Sequence, residues 1–297
     1  MTQDTCTDVV VVGAGPAGMT TASCLAESGV RVLLLDEHTA PGGQVYRSVE
    51  KVTDKRPADL NVLGSHYRSG SKAVERLHSS GAQYWPGTSV WEISAAEEAA
   101  LAVGVVRDGR ARMIQAGHIV LATGAMERPT PFPGWTLPGV MTVGAAQTLL
   151  KSSGLVPEGR IAVAGSGPLL YLYISQLIKA GKKPQVILDT RPRASLQTKL
   201  SVLAALTVDP ASMFRGLGWM REVRREIRVR ERVHRLRASG VEKLSSISYE
   251  SCDRQFTDEV DLLLVHDGVI PNTWLAMSAG CRHHWNVQQR CWVPDIT

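Results

Sequence analysis

Two segments of this 297-residue chain carry the same punctuation, and they restrict its fold more than any other feature. The first, "VVVVGAGPAGMTTASCLAESGVRVLLLDE", runs from Val9 to Glu37, and the second, "RIAVAGSGPLLYLYISQLIKAGKKPQVILDT", from Arg160 to Thr190. Each opens with a short apolar run that stops at a glycine, the pattern of a strand buried on both faces. In the first, Gly13, Gly15 and Gly18 then follow as G-x-G-x-x-G. Gly13 makes the tight turn out of the strand, Gly15 lets a pyrophosphate approach the backbone, and Gly18 lets the next helix pack against the strand. Pro16 is accepted in the first turn of that helix and Gly29 suits its C-terminal cap. A second strand, "RVLLLD", ends in Asp36, whose carboxylate is positioned to accept hydrogen bonds from a ribose diol. A glycine turn alone says little. Strand, turn, capped helix, strand and terminal acid in that order specify a dinucleotide site.

The second copy keeps Gly165 and Gly167 but has Leu170 where the third glycine falls. A leucine there pushes the helix away from the strand or changes how a phosphate sits. Its second strand, "PQVILD", ends in Asp189, followed by Arg191 and Arg193. One reading is a nicotinamide dinucleotide site, NAD(P)-like, with the arginines available for a phosphate on the ribose. The other is a fold-maintaining copy that binds no reducible nicotinamide, and a nucleotide that is not a hydride donor also fits. Two such devices in one chain predict an α/β protein with two Rossmann-like domains and parallel sheets, the second inserted in the first. The expected domains are 1–153 and 154–269, with 270–297 returning toward the first. Short alternating segments around Val90, Ala102 to Val106 and Arg112 to Gln115, with the turn "RDGR", predict a small antiparallel meander between the devices.

Composition narrows the function. Hydrophobic residues make up 44% and charged residues 21%, ordinary values for a globular protein. Gly, Pro or charges interrupt every apolar stretch before it approaches the roughly 18 residues of a membrane span. "MTQDTCTD" has no basic segment followed by an apolar one, so a cytoplasmic location is expected. Cys6, Cys24, Cys252, Cys281 and Cys291 form no C-x-x-C pair, which argues against a dithiol centre and a zinc knuckle. Cys281 and Cys291 flank His283 and His284 without a recognised ligand spacing, and no metal is expected. The net charge is +5, and ten arginines fall between Arg215 and Arg254. That stretch has few aromatics for stacking, and Ile227, Val229, Glu231 and Val233 alternate as in a half-exposed strand. A solvated or partner-docking face is expected there, not a nucleic-acid patch.

"PGGQVYR" (Pro41 to Arg47) places a second glycine pair shortly after the ribose acid, and "HIVLATGA" (His118 to Ala125) runs an apolar strand into Ala-Thr-Gly. With the first device, these motifs resemble the two-dinucleotide-binding flavoproteins. The resemblance implies FAD held at Gly13, Gly15, Gly18, Asp36, Gly42, Gly43, Gln44, Thr123 and Gly124, with the strand near Val90 passing the adenine. It implies the second nucleotide at Gly165, Gly167 and Asp189. "LATGAMERPTPFPGWTLPGVMTVGAAQTLLKSSG" (Leu121 to Gly154) and "VHDGVIPNTWLAMSAGCRHHWNVQQRCWVPDI" (Val265 to Ile296) are similar to a narrower group. It comprises the FAD-containing alpha-type subunits of opine oxidases (octopine and nopaline dehydrogenases), D-hydroxyproline dehydrogenase and hydrogen cyanide synthase.

That narrower resemblance implies one component of an amino-acid or opine dehydrogenase that oxidises a carbon–nitrogen bond. In several such enzymes a separate, smaller flavoprotein oxidase subunit oxidises the amine. The alpha-type subunit then relays electrons, in some with a [2Fe-2S] component nearby, toward a quinone or other acceptor. Peripheral attachment to the inner membrane through the complex is part of the same implication. No catalytic base carries over by motif. His66, His118, His266 and Glu127 are the acid–base candidates by residue type, each more often structural or superficial. The resembled proteins continue past "VPDI" into a strand and a Gly-Asp segment whose carboxylate holds the FAD ribitol, so this chain is expected to lack that strand and contact. Two further readings differ in class. One is a free-standing NAD(P)H-dependent flavin reductase resembling thioredoxin reductase, against which the missing C-x-x-C and Leu170 count. The other is a non-catalytic nucleotide-binding scaffold using the arginine-rich stretch as its interface.

Overall fold

The computed structural model of the chain describes residues 5–95, 101–192 and 210–295. The chain divides into two compact units, Met1–Met126 with Ile270–Thr297, and Glu127–Val269. The second is thus inserted in the first. The boundary expected at Ser153 lies instead at Glu127. The reason is strand pairing, because Val140–Thr142 adds to the second unit's sheet and the helix Val143–Ser153 follows it there.

In the first unit, β1 (Thr5–Val12) lies between β2 (Val32–Leu35) and β6 (Arg110–Leu121), parallel to both. β3 (Gln83–Trp85) extends the parallel sheet beyond β2. β5 (Leu101–Arg107) and β4 (Thr88–Ala95) continue it antiparallel beyond β6, giving the order β3-β2-β1-β6-β5-β4. The expected antiparallel meander is thus β4, β5 and β6, continuous with the parallel strands in one six-stranded sheet. Val9 to Val12 and Val32 to Leu35 are buried throughout, as an apolar run without alternation requires. Val10, Val12, Leu33, Leu35, Trp85 and Val103 form one core cluster, and Leu275 from the returning segment completes it. That burial is why the chain end belongs to this unit.

β7 (Ala125–Glu127) takes the chain out of the first unit and β16 (Val269–Pro271) brings it back. In the second unit, β8 (Val140–Thr142), β9 (Ile161–Ser166), β10 (Val186–Asp189), β11 (Arg228–Arg230) and β15 (Leu262–Asp267) are all parallel, in the order β11-β10-β9-β15-β8. The strand order reverses between β9 and β15. Sheets of this kind leave a crevice at the carboxyl ends of the strands where the order reverses. β12 (Val233–Ser239), β13 (Ser246–Ser251) and β14 (Arg254–Glu259) form an antiparallel meander. It contributes Ile247 and Tyr249 to a core shared with Val186 and Leu263.

The arginine-rich stretch runs from the helix Pro210–Glu226 through β11 into this meander. Arg228 pairs with Asp258 at 3.1 Å, Arg235 with Glu250 at 2.9 Å, and Arg230 lies over the Phe256 ring at 4.2 Å. Ion pairs on a solvated face are screened by water, so these balance charge more than they hold the fold. Among the described residues no helix is long and apolar enough to cross a membrane.

Candidate functional site

In the first unit the ends of three neighbouring strands converge on the glycine turn. The Gly13 amide donates to the Leu35 carbonyl at 2.7 Å, and the Ala122 amide to the Val12 carbonyl at 2.8 Å. A Cβ on Gly13 would overlap the Ala122 carbonyl oxygen, and one on Gly18 would overlap the Gly13 carbonyl oxygen. Both glycines therefore set the spacing of strand and helix. Gly15 has another job. A Cβ built on it would meet only the Gly43 Cα, 4.0 Å away in ordinary van der Waals contact, so no overlap requires glycine there. Gly15 is also the N-cap of the helix Pro16–Glu27, and no side chain caps that helix. Its first amides stay available, and the positive end of its dipole favours an anion.

The second glycine pair closes against the first. Gly42 donates to the Ala14 carbonyl at 2.8 Å. Gly43, at φ +55°, lies so close to Gly15 that a Cβ on it would stand 2.7 Å from the Gly15 Cα. Only a glycine meets both demands without strain. Gly13, Gly15, Gly18, Gly42 and Gly43 are thus gathered in one place.

Asp36 completes this cluster from the end of β2. It is 7% exposed, and its Oδ2 accepts the Ala14 amide at 2.5 Å. Its Oδ1 accepts the His38 amide at 2.7 Å and lies 3.1 Å from His38 Nδ1. Arg47 Nη2 lies 2.9 Å from His38 Nε2. A guanidinium only donates, so Nε2 accepts and the ring proton sits on Nδ1, directed at Asp36. Arg47 also donates to Gln44 Oε1 at 3.1 Å, which ties the exposed Gln44 to Asp36 through two intervening side chains. A carboxylate offers about four acceptor positions, and three are used here. Sequence reasoning missed His38 and Arg47. Their nearness to Asp36 and Gly43 was a signal, but periodicity does not say which way such side chains turn.

Thr123 and Gly124 follow β6 and hold the returning segment. Thr123 Oγ1 donates to the Asn272 carbonyl at 2.9 Å, and the Asn272 amide donates to the Gly124 carbonyl at 3.0 Å. Val90 lies in the edge strand β4, half-buried against the core. The nearby backbone that reaches the acid is slightly earlier, with the Thr88 amide donating to the Asp36 carbonyl at 2.8 Å.

The second unit repeats the device with altered geometry. A Cβ on Gly165 would overlap the His266 carbonyl oxygen, so β9 and β15 end in close contact. Gly167 caps its helix at φ +103°, whereas Gly15 caps the first at φ −73°. Leu170 is fully buried, so the helix is seated around a core side chain in place of the third glycine. Asp189 is 4% exposed and accepts the Arg191 amide at 3.0 Å and Arg191 Nε at 2.9 Å. Arg191 Nη2 also donates to Asp189 and to the Tyr171 hydroxyl. Burial pushes the Asp189 carboxyl up, but the Arg191 hydrogen bonds outweigh it and hold the group below its ordinary value of 3.8. The acid and the arginine expected to receive a ribose are engaged with each other. Arg193 lies outside the described residues.

Of the four acid–base candidates, two meet. His266 Nδ1 lies 2.6 Å from Glu127 Oε1, and Glu127 Oε2 accepts the Gly144 amide at 2.8 Å. His66 and His118 are exposed, His66 edge-on to Tyr46. Burial pushes Glu127 up, but hydrogen bonds from His266, Thr142 and Gly144 outweigh it and hold its carboxyl below the ordinary 4.5. A carboxylate depressed in the folded state contributes stability in full above its unfolded pKa and loses it as pH falls toward the folded value. Glu127→Gln should therefore cost stability near neutral pH and progressively less below about pH 4.5. Melting temperatures of both proteins across that range test this, and parallel curves would rule the contribution out.

A pyridine nucleotide-disulphide oxidoreductase family profile matches residues 7–289. The chain is 40% identical over 291 residues to an opine oxidase component of Agrobacterium tumefaciens (strain Ach5), covering 97% of this chain and 57% of that protein. It is 31% identical to hydrogen cyanide synthase subunit HcnB of Pseudomonas aeruginosa, covering 92% of this chain and 59% of that protein. The chain thus spans somewhat over half the length of these relatives. L-Proline dehydrogenase from P. horikoshii superposes with a TM-score of 0.68 at 19% identity, over 99% of this chain and 48% of that one.

Proposed function

The chain belongs to the pyridine nucleotide-disulphide oxidoreductase family, and from that membership we propose that its first unit holds FAD within an oxidoreductase whose substrate is an opine or amino acid. The observation that carries this reading is the apposition of Gly15 and Gly43 under an uncapped helix end. A diphosphate needs close approach to backbone amides and a favourable dipole, and both are present there. In this proposal Gly13 and Gly18 set the turn, Gly42, Gly43 and Gln44 flank the pyrophosphate, and Asp36 uses its remaining acceptor position for a ribose hydroxyl. Thr123 and Gly124 place the end of β6 beside the cofactor, and the strand bearing Val90 borders the adenine. Bound FAD supplies the two-electron oxidation–reduction that a carbon–nitrogen dehydrogenase requires.

Both relatives are named as subunits, which supports work within a multi-subunit enzyme. The finer proposal is an electron-relay role. The partners in it are a smaller flavoprotein oxidase that takes the substrate and a [2Fe-2S] component. The second unit's Gly165, Gly167 and Asp189 take a nucleotide that does not reduce the flavin. The engaged Asp189–Arg191 pair and the altered Gly167 turn favour this over a free-standing NAD(P)H-dependent reductase.

The visible spectrum of the purified chain, before and after anaerobic NADH, tests the proposal. A flavin spectrum that NADH leaves unchanged is expected. Bleaching by NADH would replace the relay with the reductase, and a protein that stays colourless with added FAD would end the FAD reading for this chain. Asp36→Ala removes the acceptor of the Ala14 amide and the ribose contact together. Flavin content should fall about tenfold or more, the effect of losing one charge-assisted hydrogen bond. Unchanged flavin content would refute the assignment of Asp36.

A further inference from the structure

We propose that Asp36 holds one hydroxyl of the adenosine ribose and not the pair, because His38, fixed by Arg47, fills both acceptor positions of Oδ1 and leaves a single one on Oδ2. This rests on the reading that the first unit binds FAD.

A carboxylate oxygen offers about two acceptor positions, and both oxygens can grip a diol only when each has one open. In this chain the two oxygens of Asp36 are not alike. Oδ1 accepts the His38 amide at 2.7 Å and lies 3.1 Å from His38 Nδ1. Oδ2 accepts the Ala14 amide of the glycine turn at 2.5 Å and has one position left. The Tyr84 hydroxyl is buried without a partner among the described residues, so it does not take that position. Asp36 is 7% exposed, and buried polar groups are paired as a rule, so the open position is one for a ligand to complete.

What keeps Oδ1 closed is the tautomer of the ring. A neutral imidazole protonated on Nε2 would turn a lone pair toward the carboxylate. Arg47 prevents this. Its Nη2 lies 2.9 Å from His38 Nε2 and can only donate, so the ring proton stays on Nδ1. Arg47 is held in turn by Gln44 Oε1, at 3.3 Å from Nε and 3.1 Å from Nη2, and the Tyr67 hydroxyl donates to its carbonyl at 2.6 Å. Glu37 stands 4.0 Å from His38 Nδ1, beyond hydrogen-bond reach, and does not compete with Asp36. The backbone supports the same arrangement, with the Gly87 amide donating to the His38 carbonyl at 3.0 Å and the Thr88 amide to the Asp36 carbonyl at 2.8 Å. His38 and Arg47 are thus positioning residues. Neither needs to touch the cofactor, and together they decide how much of Asp36 it finds.

The test measures the affinity of the full chain, stripped of flavin, for FAD and for FAD analogues carrying 2′-deoxyadenosine or 3′-deoxyadenosine, read by quenching of flavin fluorescence. The wild type should lose about tenfold or more for one analogue, the effect of one charge-assisted hydrogen bond, and no more than about threefold for the other. In His38→Ala the ring no longer covers Oδ1, the second hydroxyl gains an acceptor, and the contrast between the analogues should shrink severalfold. Arg47→Met frees the tautomer and should shrink the contrast in part, whereas Arg47→Lys, which still donates to Nε2, should restore it. Residues that merely support the fold would weaken all three flavins alike and leave the contrast unchanged.

Equal losses for both analogues in the wild type mean that Asp36 grips the diol, and they overturn the proposal. No loss for either takes Asp36 off the ribose and overturns it as well, while FAD binding itself stands. An undiminished contrast in His38→Ala overturns the role of the ring. If that variant does not fold, an undiminished contrast in Arg47→Met overturns it instead. A wild type that takes up none of the three flavins overturns the FAD reading, and this inference with it.

Discussion

Gly18→Ala is expected to destabilise the first unit and remove its flavin, whereas Gly15→Ala removes the flavin and leaves the fold intact. The two positions lie three residues apart and differ by one methyl in each variant, yet the surroundings of that methyl are opposite. On Gly18 it would overlap the Gly13 carbonyl oxygen, a backbone atom that moves only if the helix Pro16–Glu27 shifts away from β1. Overpacking of this kind costs about 1–3 kcal/mol or more. For a unit of this size that corresponds to roughly 2–12 °C in melting temperature. On Gly15 the backbone is extended, at φ −73° and ψ −179°, a conformation alanine adopts freely. The new methyl meets only the Gly43 Cα at 4.0 Å. In the proposed site it would nonetheless stand beside the uncapped helix end that a diphosphate must approach. Melting temperature and flavin-to-protein ratio, measured on both variants, separate the two roles. If Gly18→Ala melts with the wild type, the strand–helix spacing is not set there, and if Gly15→Ala keeps its flavin, the diphosphate lies elsewhere.

The second large effect is expected in the inserted unit. Arg191→Met should destabilise it by about 3 kcal/mol, because it strips the main partner from a carboxylate that stays buried. Asp189 is 4% exposed and would retain only the residue-191 amide and the Tyr171 hydroxyl, the latter at a long 3.4 Å. Asp189→Asn in the Arg191→Met background removes the unpaired charge and should recover much of the loss. Denaturant unfolding of both single variants and the double variant supplies the coupling energy of the pair. Additive losses would mean the ion pair does not hold this strand end, and Arg191 would then be free for a ligand. Acid acts on the same pair. Asp189 is held below its ordinary value, so its contribution is complete above about pH 4 and fades as pH falls through the depressed value.

The relation between sequence and site is clearest at the two glycine turns. At the first, a Cβ on Gly13 or Gly18 would overlap backbone atoms, whereas one on Gly15 would only touch the Gly43 Cα. The second was recognisably imperfect, because Leu170 broke the spacing. How it is imperfect was not legible. Leu170 goes into the core, and the change falls on Gly167, three residues earlier, whose φ is +103°. The alternation of Ile227, Val229, Glu231 and Val233 did not reveal that the stretch begins in the helix Pro210–Glu226 and is split between β11 and β12, nor that its charges pair with Asp258 and Glu250. The first domain boundary was placed too late because nothing local marks the three residues Val140–Thr142 as a strand of the inserted unit.

Two strand–turn–helix–strand devices, their acids and the insertion of one device between halves of the other were legible in the chain alone. These follow from steric rules that act over a few residues: a glycine where no Cβ fits, a proline in a first helical turn, an unbroken apolar run in a strand covered on both faces. Which polar groups meet follows from the folded structure. It set Gly43 against Gly15, turned Arg47 through His38 onto Asp36, closed Arg191 onto Asp189, and joined Glu127 to His266 across 139 positions of chain. Such meetings depend on strand order and side-chain direction, which a local pattern does not carry.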